Sequence, residues 1–112
     1  MIEFKSRYGS TYEIRFVKAN YANNGSLAVL VEDFEPDLEY WEPYCTLTVN
    51  LDGYCFGQSM AYLDTNNVPD LCEFVIENGW ATVIGDGRSG FCTYPLVEFT
   101  EEFLGEICEV ME

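Results

Sequence analysis

The chain has 112 residues, 48% of them apolar and 16% aromatic, and its 20 Asp and Glu outnumber its 5 Lys and Arg to give a net charge of −15 with no histidine. That composition is too hydrophobic for a disordered acidic tail, and a surface so short of bases does not suit direct contact with nucleic-acid phosphates or an anionic membrane. The lack of histidine excludes histidine bases, histidine metal ligands and Ser-His-Asp triads.

Taken along the chain, the sequence predicts a single domain over residues 1–112. Residues 2–7 and 11–19 alternate apolar and polar, with Ile2, Phe4, Tyr12, Ile14 and Phe16 on one face, and so predict a β-hairpin. Asn23-Asn24-Gly25 marks a turn, and Leu27–Val31 an apolar strand. Tyr44–Leu51 is β-branched and alternating, which predicts one continuous strand, followed by a turn at Asp52-Gly53. Met60–Leu63 is a further strand. The period then changes. Leu71, Phe74 and Val75 form a helical stripe over 69–78, with a cap at Asn66-Asn67, Pro69 in the first turn and a stop at Asn78-Gly79. Trp80–Ile84 and Phe91–Phe99 read as strands around a glycine-rich turn, with Pro95 indicating an edge or a bulge. Phe103, Leu104, Ile107, Cys108 and Met111 share one face of a C-terminal helix capped by Thr100 and weakened by Gly105. The expected fold is therefore α+β, a mainly antiparallel sheet with one central short helix and a C-terminal helix.

The charge is concentrated. Lys5, Arg7, Arg15 and Lys18 outnumber Glu3 and Glu13 in the first 18 residues, whereas beyond them Arg88 is the only base. The densest acidic segment runs Glu32-Asp33-Phe34-Glu35-Pro36-Asp37-Leu38-Glu39-Tyr40-Trp41-Glu42. In extended backbone, Asp33, Glu35, Asp37 and Glu39 would project from one side at a spacing of ~6.8 Å. Successive phosphates along one nucleic-acid strand are spaced on a comparable scale, with a rise of ~3.4 Å per nucleotide along the helix axis. Such a ladder suits a groove built for nucleic acid. The same pattern also suits a charged strand edge that resists aggregation.

Other chemistry finds little support. Gly85-Asp86-Gly87-Arg88-Ser89-Gly90 spells G-x-G-x-x-G, but a strand follows it where a dinucleotide site needs a helix. Asp64-Thr65-Asn66-Asn67 begins like a calcium loop and is broken by Val68-Pro69. The cysteines at 45, 55, 72, 92 and 108 are odd in number and lack both C-x-x-C spacing and a histidine partner. They read as reduced, mostly buried thiols. Neither a catalytic activity nor a cofactor is expected. The N-terminus carries no signal-peptide pattern and no window spans a membrane, so the expected location is the cytoplasm.

Asn24–Val29, Glu42–Leu51, the helix between Asn66-Asn67 and Asn78-Gly79, and Ser89-Gly90-Phe91 resemble a family of small bacterial proteins of unknown function found on phages, plasmids and conjugative elements of gut bacteria. The acids at 32–42 and the acidic C-terminus depart from that pattern. The resemblance implies a mobile-element setting, in which small acidic proteins often act against host defences, some by imitating DNA. Taken with the charge, it gives the expectation of an anti-CRISPR-like inhibitor in a bacterial host. The inhibitor would bind a basic nucleic-acid-binding protein as a monomer or homodimer and occupy its groove. The candidate partner-binding residues are Asp33, Glu35, Asp37, Glu39 and Glu42 as phosphate mimics and Tyr40 and Trp41 as anchors. Glu101, Glu102, Glu106 and Glu109 form a second patch. The alternatives are an immunity-type protein that binds a basic toxin, or a non-catalytic accessory module.

Overall fold

The N-terminal alternation produces an antiparallel pair, as predicted: β1 (Ile2–Lys5) lies on β2 (Thr11–Asn20) with Ile2 opposite Ile14 and Phe4 opposite Tyr12. This computed structural model describes residues 2–5, 9–21, 27–51, 59–106 and 108–109; the turns expected at Asn23–Gly25 and Asp52-Gly53, Cys55, Ile107 and Met111 lie outside them. β3 (Leu27–Glu35) pairs with β2, and β4 (Tyr40–Thr46) pairs with β3. The acidic segment is therefore not one extended ladder. It folds back on itself at residues 36–39. Pro36 has no N–H to continue a ladder, and the return strand pairs Phe34 with Trp41 and Glu35 with Tyr40.

The single strand expected over 44–51 is also divided. β4 ends at Thr46, and β5 (Thr48–Val49) belongs to a second sheet. Leu47, fully buried, is the crossing point. Its N–H donates to the Val29 carbonyl at 2.9 Å, and its carbonyl accepts from the Asp64 N–H at 2.8 Å. The buried Thr48 hydroxyl accepts from the Val29 N–H at 3.2 Å and lies 2.9 Å from the Tyr21 hydroxyl. Local β-propensity predicts strand on both sides of Leu47, and these non-local bonds decide where it breaks.

In the second sheet β6 (Met60–Leu63) lies between β5 and β8 (Cys92–Phe99), and β7 (Ala81–Ser89) flanks β8 on the far side. β7 runs through the glycine-rich segment, so the predicted broad turn contracts to Gly90-Phe91, with Ser89 opposite Cys92. Gly90 has φ +61, which suits glycine at the first position of a two-residue hairpin loop. β8 is interior, yet Pro95 lies one residue beyond the last β6 pair at Tyr62–Leu96, where β7 alone borders it. An edge-like position thus accommodates the missing N–H.

Helix α1 (Pro69–Glu77) buries Leu71, Cys72 and Val75 and stops at Asn78-Gly79, with Gly79 at φ +74. Its N-cap is Val68, not the predicted asparagines, and no side chain caps it. Asn67 instead donates its backbone and side-chain N–H groups to the Asp64 carboxylate at 3.3 and 2.9 Å, closing the preceding turn. The C-terminal helix is shorter than its apolar stripe implies. α2 (Glu101–Glu106) begins at Thr100, whose hydroxyl accepts from the Phe103 N–H at 3.1 Å. β9 (Cys108–Glu109) follows and pairs in parallel with Val17 and Lys18 of β2. Gly105 weakens the last turn, and the exposed edge of β2 offers the next backbone groups a strand partner.

Aromatic rings join these pieces. Phe16 meets Phe103 at 5.1 Å and Trp80 at 6.0 Å, Phe103 stacks on Phe99 at 5.0 Å, and Phe74 bridges Phe4 and Trp80 at 5.1 and 5.6 Å. Each such contact adds ~0.5–1.5 kcal/mol beyond burial itself. Cys72 is a free thiol within this core, and Cys45 is a half-buried free thiol packed against it. Burial, with the nearby charges of Asp64 and Asp70, pushes both up to about 12.

A Cβ on Gly87 would lie 2.5 Å from Tyr62 Cε1 and 2.8 Å from Leu51 Cδ1, whereas on Gly85 it would rest 3.6 Å from Leu96. Gly87→Ala is expected to cost ~1–3 kcal/mol, read as a fall of several degrees in Tm, with Gly85→Ala much milder. In the native protein at pH 8, Cys45 and Cys72 should resist iodoacetamide and react once the chain is denatured, because thiolate is the reactive form. For the same groups, stability falls as pH rises from the ordinary thiol value towards about 12, since the unfolded chain releases these protons first. Equal labelling of native and denatured protein would contradict this assignment.

Candidate functional site

On β3 Val29 and Val31 face the core, and alternation puts Asp33 and Glu35 on the same side of the strand, farther along it. Opposed residues of an antiparallel pair share a face. The register therefore puts Asp33 directly across from Glu42, and Glu35 across from Tyr40. The face that is apolar inside the molecule thus continues past the core as an acidic one. Asp33 opposite Glu42 is a like-charge pair, which by itself disfavours the strand pairing. The Tyr40 hydroxyl donates to Glu42 Oε1 at 2.7 Å. That bond, with the charges of Glu42 and Glu35, holds the Tyr40 phenol above its ordinary pKa.

The opposite face of the hairpin is where the predicted basic strand meets the acidic segment. Arg15 stands across from Glu32. Its Nη2 and Nε lie 2.6 and 2.7 Å from Glu32 Oε1, and its guanidinium sits 4.6 Å from the centroid of Trp41. Trp41 in turn meets Phe34 edge-on at 5.3 Å. The ion pair is partly exposed and worth ~0–1 kcal/mol, with a similar contribution from the cation–π contact. These contacts set the base of the hairpin and spend most of the Trp41 surface on it, so Trp41 is a supporting residue more than an open anchor.

The turn carries Asp37 and Glu39, both exposed. Asp37 N–H donates to Glu35 Oε1 at 3.3 Å, and Leu38 N–H to the Glu35 carbonyl at 3.3 Å. Glu39 adopts φ +53, a left-handed conformation that costs ~1–2 kcal/mol in an L-residue. Leu38 and Tyr40 are 60% and 46% exposed beside the acids. The β2–β3 ladder stops at Ile14–Asp33. Beyond it lies a cleft of about 550 Å³ lined by Glu3, Tyr12, Glu13, Asp33, Glu35 and Pro36 among others. Its lining contains four carboxylates and no base.

The sequence-predicted residues therefore divide. Asp33, Glu35, Tyr40 and Glu42 come together on one face, Asp37 and Glu39 form the tip, and Glu32 and Trp41 lie behind. Glu101 and Glu102 are exposed on α2, which Phe103 anchors over Phe16 and Phe99. Glu106 ends α2, and Glu109 lies on β9 beside Lys18 of β2, so neither extends a longer acidic helix. Sequence reading missed Glu3 and Glu13, which register places opposite one another across β1 and β2. It also missed Asp70, whose negative charge, like that of Asp33, reaches both Tyr44 and Cys45. Only strand pairing and the seating of α1 bring these acids to the hairpin. Among the described residues no group of three or more potential ligands is placed to hold a metal ion, and no helix is long and apolar enough to cross a membrane.

No curated protein and no solved structure matches the chain. A protein-family model described as Domain of unknown function (DUF4313) matches residues 16–111, which include the acidic hairpin, both helices and the whole second sheet. On the extent of that match, the chain belongs to the DUF4313 family.

Proposed function

We propose that this protein is a non-catalytic inhibitor of a nucleic-acid-binding bacterial defence effector, anti-CRISPR-like in action, that enters a basic groove with its β3–β4 hairpin. The observation that carries this reading is the convergence of Asp33, Glu35 and Glu42 on one face of the hairpin, with Asp37 and Glu39 at its tip and Glu3 and Glu13 lining the cleft beside it. A groove that binds phosphates attracts such a surface by the same long-range field, which speeds encounter and disfavours acidic competitors. Leu38 and Tyr40 add apolar contact at the tip. The high charge also fits the reading, since solubility of a small domain needs a magnitude of only ~2–8. The setting is a mobile genetic element acting in the bacterial cytoplasm.

The test is the triple variant Glu35→Lys, Asp37→Lys, Glu39→Lys, assayed for inhibition of the effector's DNA binding. Loss of ~100-fold or more is expected, because like charges set against each other across an interface cost several kcal/mol. Circular dichroism should be unchanged. The pair Glu101→Lys, Glu102→Lys should cost less. Full inhibition by a folded triple variant would refute the assignment of the hairpin.

A further inference from the structure

We propose that β7 is a self-association edge, pairing antiparallel with β7 of a second copy of this chain about a two-fold axis at Gly87. β7 closes one side of the second sheet, and among the described residues only β8 pairs with it. Val83 and Ile84 on this strand are 50% and 49% exposed, and Phe91 in the adjoining turn is fully exposed. An exposed edge strand is a template for another strand.

Charge decides what that other strand is. From Asn78 to Val97 the only charged side chains are Asp86 and Arg88. A chain with net charge −15 repels its own copies over most of its surface, and this edge is locally neutral. The spacing is also self-complementary. With Gly87 opposite Gly87 of the second copy, Asp86 faces Arg88 of that copy and Arg88 faces its Asp86. Both pairs lie on one face of the joined sheet, because residues two apart on a strand share a face. Moving the axis one residue either way brings Asp86 opposite Asp86, or Arg88 opposite Arg88, so like charges penalise the adjacent registers. The irregularity between Val83 and Gly85 confines regular pairing to Gly85–Ser89. The contact is thus short and isologous, and the dimer depends on concentration.

Sedimentation equilibrium of the full chain over a concentration series tests this. The expected mass rises from 12.8 kDa towards twice that value. Arg88→Asp should weaken association ~10-fold or more. Adding Asp86→Arg to it should restore association by exchanging the charges across the axis. Adding Glu77→Lys, an equal change in net charge on α1, should not. A monomer at every concentration, a dimer indifferent to Arg88→Asp, or rescue by Glu77→Lys as complete as by Asp86→Arg would each overturn the proposal. Circular dichroism of each variant separates loss of pairing from loss of fold.

Discussion

Leu47 is the residue through which the two sheets become one structure. Its two backbone bonds reach Val29 in the first sheet and Asp64 beyond the last strand residue of β6, and its side chain is fully buried between them. Thr48 completes the joint by taking the Val29 N–H on its hydroxyl. A buried backbone group left without a partner costs ~1–3 kcal/mol, so this crossing is satisfied only with both sheets in place. The aromatic contacts among Phe16, Trp80, Phe99 and Phe103 then close the core around α1 and α2. This cohesion opposes the self-repulsion of a chain with net charge −15.

Much of the fold was legible in the sequence where one period dominated. The β1–β2 hairpin, α1 with its Asn78-Gly79 stop, β6 and the Thr100 cap are all local patterns with local causes. The misreadings fall where distant partners decide. Val29 and Asp64 fix the break at Leu47. The apolar stripe through Cys108 satisfies helical spacing, but pairing with Val17 and Lys18 draws that segment into a strand. The glycines of Gly85–Gly90 suggest a loop, yet Gly87 is small because Tyr62 and Leu51 lie against it inside a strand. The acidic segment was found as a composition, whereas its shape was not: alternation suits an extended ladder and a hairpin arm equally, and the paired backbone of Phe34 and Trp41 decides between them.

The bend changes the physical character of the candidate site. An extended ladder would present a single row of carboxylates. The hairpin presents Asp33, Glu35 and Glu42 on one face beside the Tyr40 phenol, a projecting tip, and a cleft that Glu3 and Glu13 also line. Arg15 meets Glu32 on the reverse face, so the principal described cation of this region reinforces the hairpin and leaves the acidic face uncompensated. The neutral edge at β7 belongs to the other sheet. The chain thereby separates a surface suited to a basic partner from one suited to a copy of itself.

On the proposed function, the acidic hairpin competes with nucleic acid for one basic groove. The most direct measurement is capture of CRISPR effectors on the immobilised protein, repeated at rising salt and with duplex DNA as competitor. The expected result is an effector that is retained at low salt, released as salt rises and displaced by DNA. An effector held equally at high salt, or one that DNA fails to displace, would contradict it.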